Sequence, residues 1–339
     1  MKRWSIELVY SIFVILLIYS LCYFYILNTK HIYQPLEFNF LFNESELFLD
    51  NNWFGFTPKS SMWVLFLVGL FNTVGLSFVT MIFATIIGTL VGLMPFMNMT
   101  KCNSSFISVF RNVPLFVQLL AWYFGVFYML PNTSESIHFL GLIINIKGLY
   151  FPSIGILSSF IAIFFCILST QPINKNLKFL SFILLIIYFY IYSQISLPIY
   201  SGNHIVGGVY ISSECLSLCI SISLFTSAYI AEIISNAIKV VDIGQFDAAN
   251  GLGLSFFQCY RYVIIPQIFQ MVRPLLNNQY INIIKNSSLG ALIGFPELMG
   301  LTAGSILSNT SRNVEVMFLA LATYFLLCHL MTLMFGEKR

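Results

Sequence analysis

Runs of about twenty consecutive apolar residues recur along the chain, and a helix of that length spans the roughly 30 Å hydrocarbon core of a bilayer. The first runs from Leu8 to Leu27. Others lie near residues 64 to 94, 113 to 130, 150 to 169, 179 to 200, 215 to 238, 276 to 297 and 315 to 335, making eight. They are uniformly apolar and too long for the alternating strands, of roughly ten residues each, that build an outer-membrane barrel. In hydrocarbon each backbone amide must be satisfied within its own segment, so helices are the expected spanning form. The chain is therefore expected to be all-α and polytopic. Composition agrees, with 58% hydrophobic and 9% charged residues among 339, where a soluble domain carries about a quarter charged.

The same composition excludes several functions. A net charge of +3 from 16 basic and 13 acidic residues forms no basic stripe interleaved with aromatics, so nucleic acid is not an expected partner. The cysteines, Cys22, Cys102, Cys166, Cys215, Cys219, Cys259 and Cys328, contain no C-x-x-C pair and read as small apolar fillers. His31, His138, His204 and His329 lack metal-ligand spacing. Neither a metal nor another cofactor is expected. Lys2 and Arg3 precede the first apolar run in signal-sequence order, but the run is longer than an h-region and no A-x-A-like site follows it. It reads as a retained first span.

Eight spans put both termini on one side, and basic residues indicate which. Lys2, Arg3, Lys101, Arg111, Lys175, Lys178, Lys239, Arg261, Arg273, Lys338 and Arg339 fall on the side of the termini, and only Lys30, Lys59, Lys147 and Arg312 on the other. The termini are thus expected in the cytoplasm. The stretch from Met62 to Met97 exceeds one span, and Gly69 and Pro95 are read as an interfacial start and a sharp exit.

The largest inward-facing segment, residues 239 to 273, is the least ordinary. Its residues Gln245 to Leu252 predict a short helix, Gly253 a stop at positive φ, Ser255 a cap for a second helix, and Pro266 an interruption of any continuous helix. Helix, glycine turn and helix make an elbow that a soluble protein can grip.

The order Asp247, Ala248, Ala249, three residues, Gly253, nine residues, Val263, Ile264, Ile265, Pro266 resembles the E-A-A loop of bacterial ABC importer permeases. Asp stands for the first Glu of that pattern, Val for the usual Ile, and Ile for the usual Leu. Three more segments resemble the polar and general L-amino-acid permeases of this class. They are Gly69, Leu70, Asn72 and Thr73; Arg111, Asn112, Pro114, Leu115 and Gln118 followed by Tyr123, Phe124 and Gly125; and the pair Ala228 to Glu232 with Asn278 to Leu289.

The resemblance implies a MetI-like, type I importer permease core in the bacterial inner membrane. It implies three partners: a cytoplasmic ATPase at Asp247, Ala248, Ala249, Gly253 and Pro266, a second homologous permease, and a periplasmic amino-acid-binding protein. About 115 residues separate Pro114 from Tyr229, more than in compact members. The expected division is therefore an N-terminal anchor and external loop, 1–61, and a permease domain, 62–336, with a helix pair inserted at about 131–212 and the coupling loop at 239–273. No G-x-x-x-x-G-K-[ST] occurs, so the chain is expected to be a non-catalytic subunit.

Within the seventh run Asn278, Asn282 and Lys285 share one helix face at i, i+4 and i+7, and Asn286, Ser287 and Ser288 follow. An unpaired lysine in mid-membrane costs at least about 2.5 kcal/mol, which calls for a water-filled path or a partner group. These six residues form the candidate translocation path. Alternatively the span begins later and Lys285 snorkels to the headgroups. A second functional class, a secondary transporter driven by an ion gradient, needs embedded acidic residues, and the candidates are Glu232 and Glu297, both read as lying at helix ends. A membrane enzyme finds no catalytic constellation.

Overall fold

The computed structural model describes residues 20, 37–49, 56–97, 99–139, 141–152, 196–201, 204–310 and 312–335. For the most part, the expected spans at 8–27, 150–169 and 179–200 lie outside the described residues. The chain divides into two compact units, Met1–Leu41 and Phe42–Arg339. In the first, the Leu41 N–H donates to the Phe38 carbonyl at 3.1 Å. The elements below belong to the second.

Helix α1 covers Met62–Leu93 and passes into a 3-10 turn, Met94–Met97, that holds Pro95. At 1.5 Å per residue its 32 residues reach about 48 Å, longer than a bilayer core. Gly69 lies inside this helix and does not begin it. A Cβ there would stand 3.0 Å from the Leu298 Cα, so the glycine is a point of close packing. Helices α2, Thr100–Asn112, and α3, Leu115–Gly125, meet at 91°. The span expected at 113–130 is thus a helix of 11 residues, about 16 Å, ending in a 3-10 turn at Phe127–Met129.

Among the described residues six short strands follow: β1 Ile137–Phe139, β2 Leu142–Asn145, β3 Gly148–Phe151, β4 Ile199–Ser201, β5 His204–Val206 and β6 Val209–Ser212. They form an antiparallel sheet in the order β1-β2-β3-β6 and a separate β4-β5 hairpin. The protein is mostly helical, as expected, and this sheet is the addition. Residues 150–151 and 199–200, assigned above to the ends of the fourth and fifth apolar runs, are strand because their amides pair across β3–β6 and β4–β5.

Strand β6 leads directly into α4, Ser213–Val240, whose first turn is capped by the Ser212 hydroxyl accepting from the Cys215 N–H at 3.3 Å. Then come α5, Ile243–Gly251, α6, Phe256–Cys259, a π-turn, Tyr260–Ile264, and α7, Ile265–Asn286. Helix α7 continues as a 3-10 segment, Ser287–Ile293, and stops at Gly294, φ +81°. A second π-turn, Gly300–Ile306, α8, Leu307–Thr310, and α9, Asn313–Phe335, complete the unit. Among the described residues α1, α4 and α9 are long and apolar enough to cross a membrane, and the bent α2–α3 pair makes a fourth if counted as one span.

The core forms where α1 meets α4, the most extensive helix contact. Leu76, Thr80, Ala84, Gly88 and Gly92 recur every fourth residue of α1 and are buried. A Cβ on Gly88 would lie 2.7 Å from the Ile230 Cβ, and one on Gly92 would lie 2.8 Å from the Ile234 Cβ. Without a hydrophobic drive between helices in lipid, such small residues let backbones approach and gain packing energy. At the foot of this seam Asn103 of α2 donates to the Val91 carbonyl at 2.8 Å and to the Ser235 hydroxyl at 3.0 Å. Ser235 in turn donates to the Gly92 carbonyl at 3.1 Å. These bonds latch α1, α2 and α4 together.

Candidate functional site

The elbow between α4 and α7 has the local chemistry its sequence dictates. Asp242 caps α5 through the Gly244 N–H, at 2.9 Å. At the other end Gly253 takes φ +74°, and the Leu254 N–H donates to the Ala249 carbonyl at 3.1 Å, a Schellman stop. Ser255 and Gln258 then form a capping box: the Ser255 N–H donates to Gln258 Oε1 at 2.9 Å, and the Gln258 N–H to Ser255 Oγ at 3.4 Å. Pro266, by contrast, does not end the helical path. It lies in the first turn of α7, where its missing N–H is tolerated, and the irregularity falls just before it as the π-turn.

The candidate coupling residues are divided by burial. Asp247, Ala248, Gly253 and Pro266 are exposed, whereas Ala249 is buried in the core cluster with Cys259 and Ile264. Exposed Leu252, Phe257 and Tyr262 extend the free surface. Gln267 donates to Gln245 Oε1 at 3.3 Å, tying α5 to α7.

On α7 the expected face exists: Asn278, Asn282 and Lys285 are all exposed, and Met271 and Leu275 continue the row. The rest of the run turns away. Ser287 is fully buried and donates to the Ile284 carbonyl at 2.7 Å, Ser288 donates to the Lys285 carbonyl at 2.7 Å, and Asn286 is half-buried. Both serines satisfy themselves on the helix they end.

The motif positions acquire roles that side-chain type alone did not reveal. Pro114 is the N-cap of α3, and Gln118, one turn on, reaches back to donate to the Phe110 carbonyl at 2.7 Å and the Val113 carbonyl at 2.9 Å. It thereby satisfies carbonyls that the 91° bend frees at the end of α2. Arg111, in the last turn of α2, pairs with Glu232 and lies 5.9 Å from the Tyr229 ring centroid, while Asn112 is exposed. Glu232 is inside α4, not at its end. The segments at 111–118 and 228–232 are therefore one junction.

A second junction joins residues 69–73 to 295–300. Asn72 donates to the Pro296 carbonyl at 2.8 Å, and the Leu298 N–H donates to the Thr73 hydroxyl at 3.0 Å. Glu297, fully buried, accepts from the N–H groups of Met299 and Gly300 at 2.7 and 2.6 Å and from the Tyr324 hydroxyl at 2.9 Å. Its carboxylate is thus occupied in holding α9 to the chain reversal. Among the described residues no group of His, Cys, Asp and Glu is placed to hold a metal.

Residues 84–336 match the family described as binding-protein-dependent transport system inner membrane component. The chain is 32% identical over 291 residues to the putative amino-acid ABC transporter permease protein YhdX of Escherichia coli K12, covering 78% of this chain and 74% of that one. It is 29% identical over 307 residues to the general L-amino acid transport system permease protein AapQ of Rhizobium johnstonii, covering 82% and 76%. Among solved structures, the crystal structure of an amino acid ABC transporter with histidines is similar with a TM-score of 0.51 at 24% identity, over 81% of this chain and 92% of that one. That last likeness is one of fold.

Proposed function

The chain belongs to the family of binding-protein-dependent transport system inner membrane components, and on that premise we propose that it is the permease subunit of an ATP-driven importer of polar or general L-amino acids. The observation that carries the reading is the elbow, where a capped short helix, a left-handed glycine and a second capped helix run without a break into α7. A force applied to the exposed residues Asp247 and Ala248 passes through buried Ala249 to the base of the helix that carries Asn278, Asn282 and Lys285. The ATPase is assigned to that exposed surface, with Gly253 and Pro266 at its margin.

The finer assignments rest on the same logic. The polar row on α7 is exposed, so it suits a path completed by a second homologous permease. A periplasmic binding protein delivers the amino acid at the opposite end, and both termini face the cytoplasm of a bacterial inner membrane. Residues 1–61 serve as anchor and external loop, and 62–336 as the permease domain, with its insertion at about 131–212 and coupling loop at 239–273. The subunit is non-catalytic and relies on its partner to hydrolyse ATP. Neither acidic candidate for an ion-gradient mechanism is free, because Glu232 is paired with Arg111 and Glu297 is held by two backbone amides and Tyr324.

Reconstituting the complete transporter in proteoliposomes tests this. Uptake of radiolabelled L-amino acids should require ATP and the ATPase subunit and should survive dissipation of proton and sodium gradients. Uptake that follows an ion gradient and continues without ATP would reject the reading.

A further inference from the structure

A cavity of about 460 Å³ opens where the β2–β3 hairpin, the far end of α3, the start of α4 and the Gly294–Pro296 turn meet. Its lining combines a cation, Lys147, an anion, Glu214, and three phenol rings, Tyr123, Tyr128 and Tyr210. The fold holds Glu214, Tyr123, Tyr210 and the backbone of Lys147 in place. Glu214 lies in the first turn of α4 behind the Ser212 cap and accepts from the Tyr123 hydroxyl at 3.3 Å. The Lys147 carbonyl accepts from the Tyr210 hydroxyl at 2.7 Å and from the Ser213 N–H at 2.8 Å, which pins the hairpin turn while leaving the ammonium exposed. Pro296, also in the lining, is the residue whose carbonyl Asn72 holds.

We propose that this cavity binds a zwitterionic α-amino acid, with Lys147 meeting its carboxylate and Glu214 its ammonium. Opposite fixed charges in one cavity match a ligand that carries both and repel neither end. The tyrosine faces add cation–π contact to the ammonium and apolar surface to diverse side chains. Position agrees as well. Gly294 closes the 3-10 segment that begins at Ser287, so the cavity lies beyond the polar run of α7, at the end away from the elbow. Two of its walls, the hairpin and the start of α4, belong to or adjoin the 131–212 insertion. The site is thus an acceptor on the external face, ahead of the α7 path, and it rests on the amino-acid importer reading.

The test uses the assembled transporter in inside-closed vesicles, in a cysteine-free background with Tyr128→Cys as reporter. Tyr128 lines the cavity and is 62% exposed. Labelling by an impermeant thiol reagent should slow when the L-amino acid taken up fastest by the wild type is added. The amine lacking the carboxylate, and the acid lacking the amine, should not protect at the same concentration. Glu214→Gln and Lys147→Met should each raise the protecting concentration about tenfold, the loss of one charge-assisted contact. Lys147→Met alters only an exposed side chain, so it remains informative if Glu214→Gln lowers membrane abundance. Absence of protection, protection by either half-ligand alone, or unchanged protection in Lys147→Met would overturn the proposal. Uptake measured in the same vesicles separates the two readings: transport without protection removes this site and leaves the importer standing.

Discussion

Arg111 and Glu232 come from helices 121 positions apart in sequence and meet as an ion pair beside the Tyr229 ring. Removing one partner leaves the other charge uncompensated next to apolar spans. Both side chains are more than a third exposed, so Arg111→Met and Glu232→Gln are each expected to destabilise by no more than about 1 kcal/mol, and the Arg111→Glu, Glu232→Arg double exchange should recover part of it. Thermal unfolding of the purified complex measures this, and equal losses added in full by the double exchange would show that the pair is not coupled. Lys285 is a different case, since its ammonium is exposed on α7 with Asn278 and Asn282. Lys285→Met should reduce amino-acid flux without reducing assembly, and Lys285→Arg should do less harm; equal flux at matched abundance would leave snorkelling as the explanation. The sequence marked Gln118, Asn72 and Thr73 as motif positions but not their roles. Their partners are the backbone groups of Phe110, Val113, Pro296 and Leu298, and a backbone group has no identity that a sequence can display.

Between elements, the governing contact is the α1–α4 seam. Gly88 faces the Ile230 side chain and, at 2.9 Å from a built Cβ, the Ser227 carbonyl, which cannot swing aside. Gly88→Ala should therefore force the helices apart at a cost of about 1 to 3 kcal/mol. Gly75→Ala, in the same helix with nothing within 4 Å, should be silent. Comparison of their melting temperatures in detergent decides it, and equal values would show that the seam yields. Gly253 obeys another rule. Its Cβ would meet nothing within 4 Å, but its φ is +74°, so strain of about 1 to 3 kcal/mol arises from the backbone in a β-branched residue. Gly253→Val is expected to insert normally yet lose transport and ATPase attachment, whereas Gly253→Asn, which tolerates that conformation, should retain much of both. Full transport by Gly253→Val would remove the glycine from the coupling surface. This elbow was readable beforehand because capping boxes and glycine stops are local, each spanning a few residues.

For the whole molecule, the proposed orientation rests on the expected distribution of basic residues, eleven to four between the two sides. Gly251 is exposed with nothing within 4 Å of a Cβ, and Ser134 is exposed in the segment ahead of β1, so both accept a cysteine. In intact cells an impermeant thiol reagent should label Ser134→Cys and spare Gly251→Cys. The reverse pattern would invert the topology. Gly207 is a poor probe, because a Cβ there would stand 2.6 Å from the Leu197 carbonyl at φ +84°.

The sequence by itself determined that this protein lives in a membrane as helices, because hydropathy and the need to satisfy every amide in hydrocarbon leave no other solution for such runs. It also determined the elbow, whose signals are local. Only the tertiary structure decided that Leu115–Gly125 forms a short helix folded back at 91° and that β1 to β6 form strands. It alone brought Lys147 and Glu214 to one cavity. Those outcomes depend on partners distant in the chain: Gln118 on freed carbonyls, β3 on β6, and the hairpin on the start of α4. Apolar length reports what a segment avoids, which is water, whereas its final shape depends on which neighbour satisfies its backbone.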